Sequence, residues 1–274
     1  LMYVIKKVLN NNVVIAEKED GEVILVGKAI GFDFKKKMSI PQDRIKSVFI
    51  KQKGERGHNY ERLLQKIDNE VIGISEEIIS LAEKELNVKL NEAIHLSLAD
   101  HINFAFQRIK KGVKIENPFY NELKILYPKE FEIAQKALEM INVRFEHKLP
   151  EDEVGFICLH IRAAIMEQDV SRSLAYTKKI KEIMGLISKL LRKKLDINSF
   201  QYIRTLTHIN FMIERVRDNK TIKNDLLDSI KKELYNEYSI AIKVALKIED
   251  IFNIKVPEDE IGYIALHLRR LCED

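Results

Sequence analysis

Four histidines stand where their chemistry is the first question. His101 lies in DHINFAFQR (100–108) and His160 in LPEDEVGFICLHIRAA (149–164); His208 lies in THINFMIER (207–215) and His267 in VPEDEIGYIALHLRRL (256–271). Each later phrase follows its counterpart by the same 107 positions, which marks a duplicated domain rather than the much shorter unit of a solenoid. Neutral imidazole is a nucleophile near neutral pH, so a histidine can accept a phosphoryl group if positive charge nearby offsets the added negative charge. His160 and His267 follow Glu153 and Glu260 by two helical turns, on the face shared with Phe156 and Tyr263, while Arg108 and Arg215 follow His101 and His208 by two turns. Such spacing predicts an imidazole beside a cation.

Other chemistries compete for the same residues. Metal binding would call for a histidine at i+4, an HExxH phrase or clustered cysteines, and none is present, so no metal ligand and no cofactor are expected. Hydrolysis lacks both a GxSxG phrase and a P-loop, so no catalytic residue is assigned. A structural histidine predicts the repeat equally well, because duplication copies core residues too. On spacing alone, the structural and the phosphoryl-accepting readings stand level.

The elements that carry the histidines read as helices. Ser75, with Glu76 and Glu77 behind it, opens a helix through about Leu86, and Asn91 opens a longer one through about Lys111, ended by Gly112. Further helices are expected over about 119–126 and 128–145. Pro150 and the three acids after it then start the helix of His160: proline lacks only an N–H the first turn does not use, and the carboxylates face the positive helix end. QDVSRS (168–173) is polar and predicts a junction between two bundles, after which helices near 174–193, 198–217, 223–235, 236–252 and 257–272 repeat the first set. Ahead of the helices, YVIKKVL (3–9), VVIAEK (13–18), EVILVG (22–27), IGFDF (30–34) and RIKSVFI (44–50) have the composition of strands, with a turn at Asp20 and Gly21. KQKGERGHN (51–59) reads as a linker.

The fold class is therefore multidomain: a small antiparallel β-sheet domain over 1–57, followed by two duplicated all-α helical bundles over 58–169 and 170–274. About fifty residues make a marginal core, so pairing of two copies through the sheet is expected.

The chain has 274 residues, a net charge of +4 and two cysteines, Cys158 and Cys272, both inside apolar helical phrases. A disulfide framework is not expected, and a reducing compartment fits. No apolar run approaches the roughly 20 residues needed to cross a bilayer, and the first residues lack the regions of a signal peptide. A soluble cytoplasmic protein without membrane insertion is expected. Residues 1–57 hold 12 Lys and Arg against 7 Asp and Glu, whereas the remainder holds 34 against 35. The basic excess belongs to the sheet domain and favours a polyanion partner there.

In that domain Lys7, Asn10, Asn11, Asn12, Gly27, Lys28, Gly31 and Phe32 stand out. Three asparagines between strands form a turn readily, but asparagine also donates and accepts at once, which suits base edges. An exposed Phe32 beside glycines would stack on a base, the competing reading being a core phenylalanine, and neighbouring lysines would hold phosphates. RNA is favoured over DNA, since a flat sheet without a recognition helix has no way into the major groove.

The chain resembles the BglG/LicT-type transcriptional antiterminators of bacteria, over essentially its whole length. KKVLNNNVV and VGKAIGF are similar to that family's co-antiterminator RNA-binding domain, and the two histidine-bearing bundles resemble its tandem phosphotransferase-system regulation domains. The KVLNNN and GKAIGF wording is particularly similar to the glucose-type members. The resemblance implies a homodimer that binds an RNA hairpin in the leader of a sugar-transport operon and prevents a terminator from forming. It implies RNA contacts at Lys7, Asn10, Asn12, Gly27, Lys28 and Phe32. It implies phosphorylation of His101 and His160 in the first domain and of His208 and His267 in the second. The implied donors are HPr and the sugar-specific enzyme II, with the first domain inhibitory and the second activating. Asp100 ahead of His101 is replaced by Thr207 ahead of His208, so the two sites need not share a donor. Lys28 stands where many relatives have Arg, which keeps a phosphate contact without the bidentate geometry.

Two other classes stand as rivals: a phosphocarrier enzyme passing phosphate between its histidines, and a DNA-binding regulator built on the same bundles. No helix-turn-helix or ATPase motif precedes the bundles to support the second.

Overall fold

The computed structural model describes residues 3–10, 13–18, 21–27, 29–45, 47–50, 67–220 and 222–273. The expected linker at 51–59 lies outside these residues.

Strands β1 (Tyr3–Asn10), β2 (Val13–Lys18), β3 (Gly21–Val26), β4 (Ser39–Ile40) and β5 (Ser47–Ile50) form one antiparallel sheet in the order β4-β1-β2-β3-β5. Its core gathers Tyr3, Ile5, Val14, Ala16, Val23, Leu25, Ile30 and Ile40. The alternation of β1 breaks where its register with β2 shifts between Ile5 and Lys7. A register shift sets an extra residue against the partner strand, and Lys6 and Lys7 accordingly both face outward.

The segment 30–34, expected as a strand, is instead a short helix, α1 (Ile30–Asp33). Ala29 before it is left-handed at φ 56°, which turns the chain, and Ile30 alone is buried in the sheet core. A five-residue apolar run carries too little period to separate the two forms. The two-residue strand β4 gave no pattern of its own.

Two compact units follow from the packing: Leu1–Asn117 with Lys129–Val170, and Pro118–Pro128 with Ser171–Asp274. In the first, α2 (Asn69–Leu86) starts at Asp68, whose carboxylate accepts the N–H of Glu70 at 2.8 Å. It ends at Asn87, left-handed at φ 53°. Then come α3 (Ala93–Lys110), α4 (Tyr120–Leu126), α5 (Pro128–Arg144) and α6 (Glu153–Ile165). Of these α4 belongs to the second unit, where Lys181 reaches the carbonyl of Pro118 at 2.5 Å.

The second unit holds α7 (Val170–Leu191), α8 (Phe200–Arg217), α9 (Leu227–Glu233), α10 (Tyr235–Phe252) and α11 (Glu258–Glu273). Ser199 caps α8, its Oγ accepting the N–H of Tyr202 at 3.2 Å. The expected polar junction at 168–173 is in part helical, because α7 already begins at Val170. Ser173 lies on its buried face, where its carbonyl accepts from Thr177 Oγ1 at 3.0 Å, so polar residues serve a face that composition reads as solvent.

Candidate functional site

Each repeat brings together two histidines that lie 59 positions apart in the chain. In the first, α3 carries His101 and α6 carries His160, and their ring centroids stand 4.9 Å apart. Helix α3 buries Ile94, Leu98, Ala99, Ile102, Ala105 and Phe106, which leaves His101 at the edge of the apolar face. His101 Nε2 lies 2.7 Å from Oε2 of Glu153, whose carboxylate is only 1% exposed. A carboxylate can only accept, so this contact places a proton on Nε2. His160 Nδ1 faces Ser97 Oγ at 3.3 Å. Burial, and secondly the neighbouring His101, hold the His160 imidazole down to about 3, so it is neutral at physiological pH.

In the second repeat α8 carries His208 and α11 carries His267, with centroids 4.3 Å apart. Phe156 beside His101 and Tyr263 beside His208 occupy equivalent positions, at 5.7 and 5.9 Å between ring centroids. The carboxylate of Glu260, however, turns to Arg215: Nε donates to Oε1 at 3.1 Å, and Nη2 donates to Oε1 and Oε2 at 2.9 Å each. The Nδ1 atoms of His208 and His267 are buried without a hydrogen-bond partner. Both rings open on a cavity of about 560 Å³ lined in addition by Arg204, Thr207, Phe211 and Arg270. Burial, then Arg215 and Arg204, lower His208 to about 4; burial, then His208, Arg270 and Arg204, lower His267 to about 3. At neutral pH both rings are therefore neutral nucleophiles.

The PEDE phrase of each copy divides its labour. The turn closes on its own proline, since the N–H of Glu153 donates to the Pro150 carbonyl and that of Glu260 to the Pro257 carbonyl, each at 3.0 Å. Asp152 and Asp259 clamp the preceding loop by accepting the N–H of Asn117 at 2.6 Å and of Asn224 at 2.9 Å. Gly262 lets Asn224 approach, because a Cβ there would meet its Nδ2 at 2.7 Å. The last acid of the phrase meets His101 in the first copy and Arg215 in the second.

Two sequence expectations change here. Arg108 does not serve as the cation of His101: its Nη2 donates to the Lys114 carbonyl at 3.2 Å and its guanidinium lies over Phe104. Arg215 binds Glu260 and not an imidazole, acting on His208 only through its charge. Spacing along one helix ranks residues on a face but does not say which residue of the neighbouring helix arrives first. The sequence reading also passed over Arg204 and Arg270, although their equivalents 107 positions earlier are Ser97 and Ala163. That difference was the available signal. It overlooked a buried pair as well, His95 Nδ1 against Glu76 Oε1 at 2.6 Å, whose second-repeat equivalents are Tyr202 and Ile183.

Of the candidate RNA contacts, Lys7 is exposed on β1 and Phe32 is 73% exposed on α1, which removes the core reading of that phenylalanine. Gly27 is buried, and a Cβ there would press into the Arg44 carbonyl and come within 2.9 Å of Ile30 Cγ2. Close packing alone thus calls for glycine. Asn10 closes β1 opposite Val13. Asn12 and Lys28 lie outside the described residues, as does the side chain of Asn10.

Residues 3–57 match the CAT RNA binding domain, and residues 76–164 and 181–271 each match the PRD domain. With the sheet and the two histidine-bearing bundles, these matches define a modular regulator: one RNA-binding domain followed by a duplicated PRD domain. The chain is 35% identical to the transcription antiterminator LicT of Bacillus subtilis (strain 168) over 273 residues, 98% of this chain and 99% of that protein. It is 33% identical to Protein GlcT of Staphylococcus saprophyticus over 276 residues, 99% and 98% of the two chains. The crystal structure of GlcT CAT-PRDI matches at 40% identity with a TM-score of 0.53, covering 60% of this chain and 98% of that one. The chain belongs to the LicT and GlcT family of transcription antiterminators, as the resemblance of its motifs led one to expect.

Proposed function

We propose that this protein is an RNA-binding transcriptional antiterminator of a sugar-transport operon, controlled by phosphorylation of its regulatory histidines. In the cytoplasm a homodimer binds a hairpin in the leader RNA through its sheet domain and prevents the terminator from forming. Lys7, Asn10, Asn12, Gly27, Lys28 and Phe32 contact that RNA, the lysines at phosphates and Phe32 at a base. His101 and His160 in one regulatory domain, and His208 and His267 in the other, accept phosphoryl groups from HPr and from the sugar-specific enzyme II of the phosphotransferase system. The domains divide near 57 and 169. The chain regulates and catalyses no reaction of its own.

The observation that carries this reading is the pairing of histidines in each repeat, at 4.9 and 4.3 Å between ring centroids. His160, His208 and His267 are held neutral by burial. A neutral imidazole is competent to take a phosphoryl group, which brings nearly two negative charges into the space between packed helices. Such a charge favours whichever bundle arrangement accommodates it, and the RNA-binding sheet responds through that shift in population. No helix among the described residues is long and apolar enough to cross a membrane.

The test is a selection of the full-length chain against a library of genomic leader RNA. Enrichment of one hairpin, with affinity falling steeply as salt rises, is expected. Recovery of no preferred hairpin would refute the reading.

A further inference from the structure

The two histidine pairs sit in opposite electrostatic settings. In the second repeat Arg204 and Arg270 line the cavity with His208 and His267, and the nearby carboxylate of Glu260 is already neutralised by Arg215. In the first repeat the arginine positions hold Ser97 and Ala163, and the carboxylate of Glu153 contacts His101 itself. The Nδ1 atoms of His208 and His267 are buried without partners, which leaves Nε2 as the nitrogen each ring can offer to the cavity.

We propose that Arg204 and Arg270 form an oxyanion seat that stabilises a phosphoryl group on Nε2 of His208 or His267, and that Glu153 opposes the same group on Nε2 of His101. The inference rests on the reading of these histidines as phosphoryl acceptors. A phosphoryl group carries three acceptor oxygens that match the donor fork of arginine. Arg204 and Arg270 are exposed and free to swing onto it. On His101 the same group finds its nitrogen occupied by Glu153 and a like charge at hydrogen-bond distance. Accepting it requires the carboxylate to leave its dry position at the start of α6. The second pair therefore takes phosphate at little structural cost, whereas the first takes it only by moving a helix end.

Phosphoramidate tests this without any protein donor. The Nε2 lone pair forms the new N–P bond, the P–N bond of the reagent breaks, and its nitrogen leaves as ammonia. The phosphoimidazolium then releases its Nδ1 proton to the buffer. The full-length chain is labelled with phosphoramidate and followed by site-resolved mass spectrometry, with ³¹P NMR to identify the nitrogen. The expected result is faster labelling of His208 or His267 than of His101. The double variant R204Q/R270Q should slow the second pair by about tenfold, the scale of a charge-assisted hydrogen bond, and leave the first pair unchanged. Lysine at both positions should restore part of the rate. E153Q should speed labelling of His101 alone. Because Arg204 and Arg270 are exposed, their arm decides the matter even if E153Q fails to fold. Unchanged second-pair labelling in R204Q/R270Q would overturn the seat. If no histidine of the unaltered chain is labelled, the acceptor reading itself fails, a result distinct from loss of the seat.

Discussion

His101 and Glu153 meet at 2.7 Å between Nε2 and Oε2, whereas Glu260, the equivalent of Glu153, is gripped by Arg215. Two domains copied from one ancestor thus use the same carboxylate differently. In one it is wired to a candidate phosphoryl acceptor; in the other it is neutralised by a cation and the histidines are left to the cavity.

The Arg215 pairing predicts unequal stability effects at equivalent positions. Glu260 is 1% exposed and Arg215 29%. R215A strands a buried carboxylate and should cost about 2–3 kcal/mol, below the ~3–5 for a fully buried pair because the arginine is part-exposed. R108A removes a contact at the surface and should cost less than about 1 kcal/mol. Denaturant unfolding of the two variants checks this; equal effects would contradict the account.

Acid should destabilise the bundles through their histidines. His160 is lowered to about 3, His208 to about 4 and His267 to about 3, from an ordinary value of 6.5. Between about pH 6.5 and those values the unfolded chain binds more protons than the folded one, so stability is fully present above pH 6.5 and is lost as pH falls. The thermal midpoint of the helical circular dichroism signal should drop from pH 7 to pH 5. The drop should shrink in the triple variant H160Q/H208Q/H267Q, and an undiminished drop would assign the acid sensitivity elsewhere.

In the sheet domain, G27A and F32A should separate folding from binding. A Cβ at Gly27 collides with the Arg44 backbone, so G27A should lower the stability of the sheet and weaken RNA binding with it. Phe32 is 73% exposed, so F32A should leave stability within about 0.5 kcal/mol. Hairpin affinity should fall by roughly tenfold in F32A, the loss of one stacked base. Native affinity in F32A would remove Phe32 from the RNA-binding surface.

The duplication was legible because a constant offset needs no knowledge of the fold, and helical starts were legible where proline and acids announced them, whereas Ser75 misled: it lies buried inside α2, which begins at Asn69, and its Oγ donates to the Val71 carbonyl at 2.7 Å. IGFDF misled because its pattern is too short to carry a period, and QDVSRS because Ser173 hides a polar residue inside a helix face. The Glu153 contact was illegible for a different reason: Glu153 shares a helix with His160 yet reaches across to His101. Arg204 and Arg270 fell outside the residues that the copies share, although a comparison of the copies at the 107-residue offset would have exposed them.

If the histidine pairs govern the RNA-binding sheet, read-through of a hairpin-containing leader in single-round transcription reports it most directly. The full-length chain should raise read-through, and H101D/H160D, which puts fixed negative charge into the first pair, should abolish most of that gain while H208D/H267D does not. Read-through unchanged by H101D/H160D would contradict the account.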